Sequence, residues 1–408
     1  MGALRTLRSV VRLRRRVGDR TFRRLRKVAS VDDLRRMARK RLPGGVFDYI
    51  DGGAEGEITL GRNAGAYQRL EFRPRILRGV AEVDTSTTLL GRPVAFPYVT
   101  APIGFTRIAD PGGELSVVRA AGRAGVPFTL STMGTRSIEE CAAVAFEGAR
   151  LWFQVYVWHD RDHIRSLVER AAACGYEAIV LTVDTTVLGR RERDLRRGFT
   201  LPPEIGPGTL LDGMRHPGWT LRLLRSEPIQ FSSAVGSGAG DGTDVVALAA
   251  QTNELFDKGL SWRDLEWLQS IWDGPIVLKG IQTVADAHLA ADAGVAAIAV
   301  SNHGGRQLDT APVPLERLPE VVEAVGHRIE VICDGGVRRG SDVVKACALG
   351  ATAVMAGRAH MYALGAAGER GVDHVLELMR SGMETTMTLV GAPTVADLDP
   401  SLVRLPPR

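Results

Sequence analysis

Eight short apolar runs, each followed by a helix-sized segment, constrain this chain more than any other feature of it. They are VAFPYVTAP (94–102), PFTLST (127–132), LWFQVYV (151–157), AIVLTVD (178–184), PIVLKGI (275–281), AIAVSNHGG (297–305), EVICDGG (330–336) and AVMAGR (353–358). None alternates apolar with polar residues, so each suits a parallel strand covered on both faces. The segments 112–125, 161–175, 283–294 and 339–350 carry apolar residues at three- and four-residue steps. Each ends in Gly, the common left-handed helix terminator. Strict βα alternation with eight strands predicts an α/β fold, a (β/α)8 TIM barrel; an open doubly wound sheet is the alternative that pattern alone leaves.

Residues 31–93 read as an N-terminal helical cap, and 31–408 as one barrel body. About residues 185–274 form a long insertion after strand 4, too long for one βα connection and rich in Gly, Pro and Arg. Long insertions on that face of a barrel are lids or docking surfaces. The net charge of +5 hides an asymmetry: residues 1–30 carry +10 and the rest −5. The body therefore has no reason to bind nucleic acid. Cys141, Cys174, Cys333 and Cys347 show no paired spacing and read as buried, reduced thiols. With no apolar signal region and no spanning segment, a cytoplasmic protein is expected.

The chemistry is concentrated at the strand ends. Ser131, Gln154 and Tyr156, Thr182 and Asp184, Lys279, Ser301 and His303, Asp334, and Arg358 close seven successive runs. In a barrel these ends converge on one face around the axis. A lone loop His is more often structural, but His303 sits at a strand end three residues from Arg306. It suits a general base, with Asp184 fixing its tautomer. Arg306 can fork onto a carboxylate, and Arg191 could be a second anchor, although 190–197 also reads as a solvated charge run. The glycine-rich turns CDGGVRRG and AGRA, flanked by Arg338 and Arg358, favour a phosphate site over mere tight turns because they end adjacent strands. No GxGxxG opens a first βαβ unit and no P-loop motif occurs.

At these residues the chain closely resembles the FMN-dependent L-2-hydroxy-acid dehydrogenases. The likeness runs from about residue 30 nearly to the end, through FDYIDGGAE, FRPRIL, LTVDTTVLGRRERDLRRGF, LKGIQT, VSNHGGRQLD and DGGVRRGSDVVKACALGA. It implies FMN as cofactor, a small 2-hydroxy acid as substrate, no metal, and a homo-oligomer, commonly a tetramer. It implies that His303, with Asp184, removes a proton from the substrate. Arg306 and Arg191 would hold the substrate carboxylate, with Tyr49 and Tyr156 contacting its carboxylate and hydroxyl. Lys279 would stabilise negative charge on the reduced flavin. Ser131, Gln154 and Thr182 would bond the isoalloxazine edge, with the backbone of Pro102, Ile103 and Gly104 along it. Ser301 is counted with these contacts. Asp334 would take ribityl hydroxyls, and Gly335, Gly336, Arg338, Gly357 and Arg358 the phosphate.

Three positions depart from the glycolate oxidase pattern: Ile103 replaces a Thr, Met133 a Trp and Thr186 a Pro. HPGWTLRLL, SWRDLEWL and LDTAPVPLERLP look more like the bacterial membrane-associated lactate dehydrogenases, which makes L-lactate the first expected substrate. Electrons would pass to quinone or another carrier, with an O₂-using oxidase as the rival and a non-catalytic FMN-binding protein as a rival of another class. In the arm, Leu4, Leu7, Val10, Val11, Leu13 and Val17 recur at roughly helical spacing between arginines. The arm is therefore either an amphipathic helix on anionic lipid, at the inner face of the membrane, or a disordered basic tail. Residues 200–255 are a second candidate for membrane docking.

Overall fold

A computed structural model describes residues 19–197, 206–233 and 255–404. At its centre is a closed barrel of eight parallel strands in chain order. They are β1 (Tyr98–Thr100), β2 (Phe128–Ser131), β3 (Leu151–Val155), β4 (Ala178–Thr182), β5 (Ile276–Ile281), β6 (Ala297–Val300), β7 (Glu330–Asp334) and β8 (Ala353–Ala356). Each falls within one of the eight apolar runs. β8 pairs back onto β1 in the register Val354–Tyr98, Met355–Val99, Ala356–Thr100, which closes the barrel and excludes the open sheet.

The strands read as continuous apolar runs because both their faces are covered. Inward, Val99, Trp152, Val180, Val277, Ala299, Ile332 and Met355 fill the barrel. The hairpin Thr87–Leu89/Arg92–Val94 adds Leu89 and Val94 to that inner cluster. Outward, each strand is followed by a helix, from Gly113–Ala124 after β1 to Arg358–Ala367 after β8. Four of these helical segments run to the glycines expected to stop them, and Gly125, Gly175, Gly294 and Gly350 all have positive φ.

The N-terminal cap consists of the helices Val31–Arg41, Gly44–Asp51 and Ile58–Arg69. Leu25 and Val28 are already buried in the core, so the later part of the basic segment packs with the body. Leu4 to Val17, the proposed amphipathic face, lies outside the described residues. The cap is tied to the barrel mouth: the Asp309 carboxylate, in the loop after β6, accepts from Thr59 N (2.8 Å) and Ile58 N (3.2 Å). That satisfies donors which a helix N-terminus otherwise leaves bare.

The insertion begins after β4 with a short helix, Glu192–Arg197, followed by Pro207–Arg215 and Pro217–Leu224. Trp262–Gln269 occupies the place of the fourth crossover helix, so the insertion proper ends before it. Its helix pair is stapled down by Trp219 Nε1 to Ile108 O (2.8 Å) and Gly44 N to the Asp212 carboxylate (2.6 Å). Cys141, Cys333 and Cys347 are buried free thiols. Cys174 corrects the expectation, being only half-buried at the end of the helix Arg161–Ala173. No helix among the described residues is long and apolar enough to cross a membrane.

Candidate active site

The C-terminal ends of the strands open into a cleft of about 1210 Å³, including its open mouth. Of the residues singled out from sequence, Tyr49, Pro102, Ile103, Gly104, Ser131, Tyr156, Arg191, Lys279, His303, Arg306, Asp334, Gly335, Gly336, Arg338, Gly357 and Arg358 all line it. Gln154, Thr182 and Ser301 lie buried beside it on β3, on β4 and just past β6. The Ser301 hydroxyl is fully used, accepting from Lys279 Nζ (3.2 Å) and His303 N (3.0 Å) and donating to Asp334 (2.6 Å). It acts as a bracket under the site.

His303 follows β6 in a left-handed backbone conformation, φ +57°, which is uncommon for a residue with a side chain and costs about 1–3 kcal/mol. The turn brings its Nδ1 to 2.9 Å from Asp184 Oδ1 and 3.3 Å from the Thr185 hydroxyl. Asp184 lies two residues past β4, and its neighbour across the site is the irregularity in β5 at Gly280. A Cβ at Gly280 would stand 2.8 Å from the Asp184 Cβ, and its φ is +117°. Glycine is required here so that the carboxylate can approach the imidazole.

Burial pushes the His303 pKa down, and the raising influence of Asp184 does not fully offset it, so the ring is held below its ordinary value. Burial by itself raises the Asp184 carboxyl, but the charges of His303 and Lys279 prevail and it sits below its usual value. For Lys279 burial lowers, whereas Asp334, 3.2 Å away, Asp184 and Tyr156 raise; the net is a raised, firmly protonated ammonium. A neutral imidazole beside a carboxylate and an ammonium is therefore the state at neutral pH.

Opposite the dyad, the helix Gly44–Asp51 ends over the cleft, and its last carbonyls are taken up by arginines. Arg306 Nη1 donates to Tyr49 O (2.8 Å) and Gly52 O (3.0 Å). Arg358 donates to Ile50 O, Gly52 O and Gly304 O. This pairs orphan carbonyls and the negative end of the helix dipole with fixed cations. The Arg306 and Arg191 guanidiniums both stand over the Tyr49 ring, at 5.2 and 5.8 Å from its centre. Burial, together with the charges of Arg191 and Arg358, pushes Arg306 down to about 9. Like charges held so close call for an anion. The cleft holds Arg191, Lys279, Arg306, Arg338 and Arg358 against Asp184, Asp334 and, near Arg191, Asp194. That cationic excess suits a phosphate plus one carboxylate.

Several residues of the site were not named from sequence. Thr185 braces both members of the dyad, and its position next to Asp184 was the available signal. Phe231 and Phe256 come from the two sides of the insertion. Phe231 packs on Phe105 (5.4 Å), which meets Tyr49 edge-on (6.1 Å), and Phe256 packs on Tyr156 (4.9 Å). Leu188 completes this apolar wall together with Met133, which the sequence had already singled out as a departure from the glycolate oxidase pattern. The run 190–197 is no plain solvated loop: Arg193 pairs with Asp51 and Glu57, and Arg197 with Asp48.

Four buried polar atoms here have no partner among the described residues: Gln154 Nε2, Thr182 Oγ1, Asp184 Oδ2 and Arg191 Nε. Buried polar groups are nearly always satisfied, so such a cluster marks where ligands belong. Nor does any hydrogen bond among the described residues use the N–H of Gly336 or Val337. Apolar side chains would not answer these atoms. A flat heterocycle with a polar edge and a phosphate tail would answer Gln154, Thr182 and the two N–H groups, and an anionic substrate would answer Arg191.

Residues 38–405 match the family model described as FMN-dependent dehydrogenase. The chain belongs to this family. A Mycobacterium tuberculosis protein provisionally named as an L-lactate dehydrogenase is 42% identical over 397 residues, covering 97% of this chain and 94% of that one. An L-lactate oxidase from Nostoc is 41% identical over 377 residues (91% and 97%), and glycolate oxidase 1 of Oryza sativa is 43% identical over 371 (91% and 94%). Among solved structures, (S)-mandelate dehydrogenase, titled a monotopic membrane protein, superposes with a TM-score of 0.88 at 37% identity, covering 93% of this chain and all of that one. The chain is thus an FMN-dependent enzyme that oxidises a 2-hydroxy acid, and the orphaned Gln154 and Thr182 atoms fit that cofactor.

Proposed function

We propose that the enzyme oxidises L-lactate to pyruvate with His303 as the proton acceptor and delivers the electrons to quinone or another carrier at a membrane. The observation that carries the catalytic part is the His303–Asp184 pair facing Arg191 and Arg306 across one cleft. FMN, when bound, supplies the acceptor for the two electrons that leave the substrate carbon. Arg306 offers the edge that Tyr49 O and Gly52 O leave open, and Arg191 its unpartnered Nε, so together they orient a carboxylate. With its Nδ1 proton held by Asp184, His303 presents the lone pair of Nε2 to the substrate. The ionised Asp184 then stabilises the imidazolium that forms. Tyr156, pushed up to about 12 chiefly by burial, remains a neutral hydrogen-bond donor to the hydroxyl. Lys279 opposes developing negative charge nearby.

For the cofactor, Gln154, Thr182 and Ser131 would bond the polar edge of the ring along Pro102–Gly104, and Asp334 the ribityl chain. Gly335, Gly336, Arg338 and Gly357 would hold the phosphate. Arg358 is fixed there by three carbonyls, which leave two of its five guanidinium hydrogens and its charge for the phosphate.

L-lactate is favoured over glycolate because Met133, Leu188 and Phe256 give the substrate side chain an apolar wall. A second reading, a bulkier substrate such as mandelate, draws on the adaptability of Met133 and on the solved relative. Anaerobic mixing with L-lactate, D-lactate, glycolate and (S)-mandelate, following flavin bleaching, separates these. The lactate reading holds if L-lactate has the highest kcat/KM and D-lactate is inert; it fails if glycolate or mandelate exceeds it. Reoxidation by air against a soluble quinone then distinguishes oxidase from dehydrogenase.

The membrane part draws on the helix pair of the insertion. Leu210, Leu211, Met214, Leu221 and Leu224 are 45–76% exposed on it, beside the exposed Arg215 and Arg225. Apolar side chains rimmed by arginine suit an anionic bilayer surface. In co-sedimentation with phosphatidylglycerol vesicles, changing these five residues to Ser is expected to release the enzyme. Undiminished binding would reject this face, and undiminished binding of a chain lacking residues 1–18 would reject the basic arm.

A further inference from the structure

Asp51 ends the cap helix Gly44–Asp51, two residues after Tyr49, and is 3% exposed. Three parts of the chain far apart in sequence meet on its carboxylate. Arg35, from the first cap helix, donates through Nε (2.5 Å) and Nη2 (2.7 Å). Arg193, in the short helix Glu192–Arg197 after β4, donates through Nη1 (2.8 Å). The Tyr362 hydroxyl, from the helix after β8, donates at 2.7 Å. These groups keep Asp51 well below the ordinary carboxylate range despite its burial. None of them touches the cleft. They line a separate polar cavity on the far side of Gly336 and Arg338.

The position of this hub gives it a consequence for the cleft. Gly52 O, the next carbonyl along, accepts from both Arg306 and Arg358. Arg193 lies two residues after Arg191, which stands over the Tyr49 ring. One carboxylate thus fixes the helix end that orders Tyr49 and Arg306 and also the loop that carries Arg191. The other ties between these two segments lie further out: Glu55 N to Arg190 O (2.8 Å), and the ion pairs of Arg193 with Glu57 and of Arg197 with Asp48. The Asp194 carboxylate also stands 3.9 Å from Arg191.

We propose that Asp51, through Arg193, is a positioning residue that sets the spacing of the two substrate-binding arginines across Tyr49, an inference that rests on their reading as carboxylate anchors. Without it the segment would keep its outer ties to Glu57, Asp48 and Glu55 N but lose the one that reaches the end of the helix ordering Tyr49 and Arg306, and the two like charges would separate. The cost would fall on the carboxylate, and hardly at all on FMN. A displacement of about 1 Å in a positioning group can cost as much as a hundredfold.

The test compares Arg193→Gln, Asp51→Asn, Asp51→Glu and Arg191→Met as purified holoenzymes. Steady-state kinetics with L-lactate and binding of oxamate, an unreactive carboxylate, followed by flavin absorbance, are the two readouts. Arg193→Gln keeps the Arg35 and Tyr362 bonds to Asp51, so it folds and retains FMN even if Asp51→Asn does not. It is expected to raise KM and the oxamate Kd about tenfold while kcat falls less than threefold. Asp51→Glu should recover part of the loss of Asp51→Asn. Should Arg193→Gln leave KM and oxamate affinity unchanged while Arg191→Met raises both, the positioning role is refuted and the anchor reading stands. An Arg191→Met enzyme with unchanged KM would refute the anchor reading itself.

Discussion

Asp184→Asn is the substitution whose effect the structure sizes most directly. The carboxylate lies 2.9 Å from His303 Nδ1, and both side chains are largely buried, at 6% and 21% exposed. As His303 takes its proton, the imidazolium charge forms about 4 Å from the carboxylate charge. At an effective dielectric of ~20 that attraction is about 4 kcal/mol. Each 1.36 kcal/mol is tenfold in rate, so its loss predicts flavin reduction slower by roughly 10³-fold. The amide keeps the size and one hydrogen bond, so folding and FMN content should survive. The pH profile adds a second sign. Asp184 raises the His303 pKa, so removing its charge should move the acidic limb of kcat/KM to lower pH even as the plateau drops. The assay is anaerobic stopped-flow bleaching near 450 nm over a range of L-lactate concentrations up to saturation, from about pH 5 to 8. A reduction rate within about fivefold of the native enzyme, or an acidic limb displaced upward, would refute the reasoning.

Other outcomes follow from the same geometry. In the native enzyme the acidic limb of kcat/KM should lie below the ordinary His value of 6.5, because burial lowers His303 and the base is competent only when neutral. A limb well above 6.5 would contradict that electrostatic picture. Gly280→Ala forces a Cβ into Asp184 at φ +117°, so urea unfolding should show a loss of about 1–3 kcal/mol and kcat should fall with it; unchanged activity would mean the carboxylate is not held by that approach. Arg306→Met should raise KM and lower kcat together, because it removes a carboxylate contact and also the donor to Tyr49 O and Gly52 O. Steady-state kinetics with L-lactate would expose a change in KM alone.

How much of this was legible in the sequence depends on which contacts are periodic. The barrel was readable because each strand is a short apolar run and four of the intervening helical segments end at a glycine with positive φ. Asp184, Lys279, His303 and Asp334 were readable because strand ends converge in any closed barrel, whatever the loops do. The tie between Asp51 and Arg193 was not, since it joins residues 142 apart through the packing of a cap and a loop, and no local pattern encodes it. Phe231 and Phe256 were hidden for the same reason, inside an insertion with no repeating unit. Gly280 was partly readable, because a glycine inside a strand signals a bulge or a close approach. Arg358 shows a different limit: its place at the phosphate turn was evident, but that its hydrogens cap the helix Gly44–Asp51 required the fold.

The most direct test of the account is His303→Gln, mixed anaerobically with L-lactate. Glutamine preserves a polar side chain of similar reach but cannot take up a proton at neutral pH. The variant is expected to hold FMN stoichiometrically, to bind oxamate, and to bleach at least 10³-fold more slowly than the native enzyme, a loss of about 4 kcal/mol of transition-state stabilisation. Bleaching at the native rate would contradict the assignment of His303 as the base.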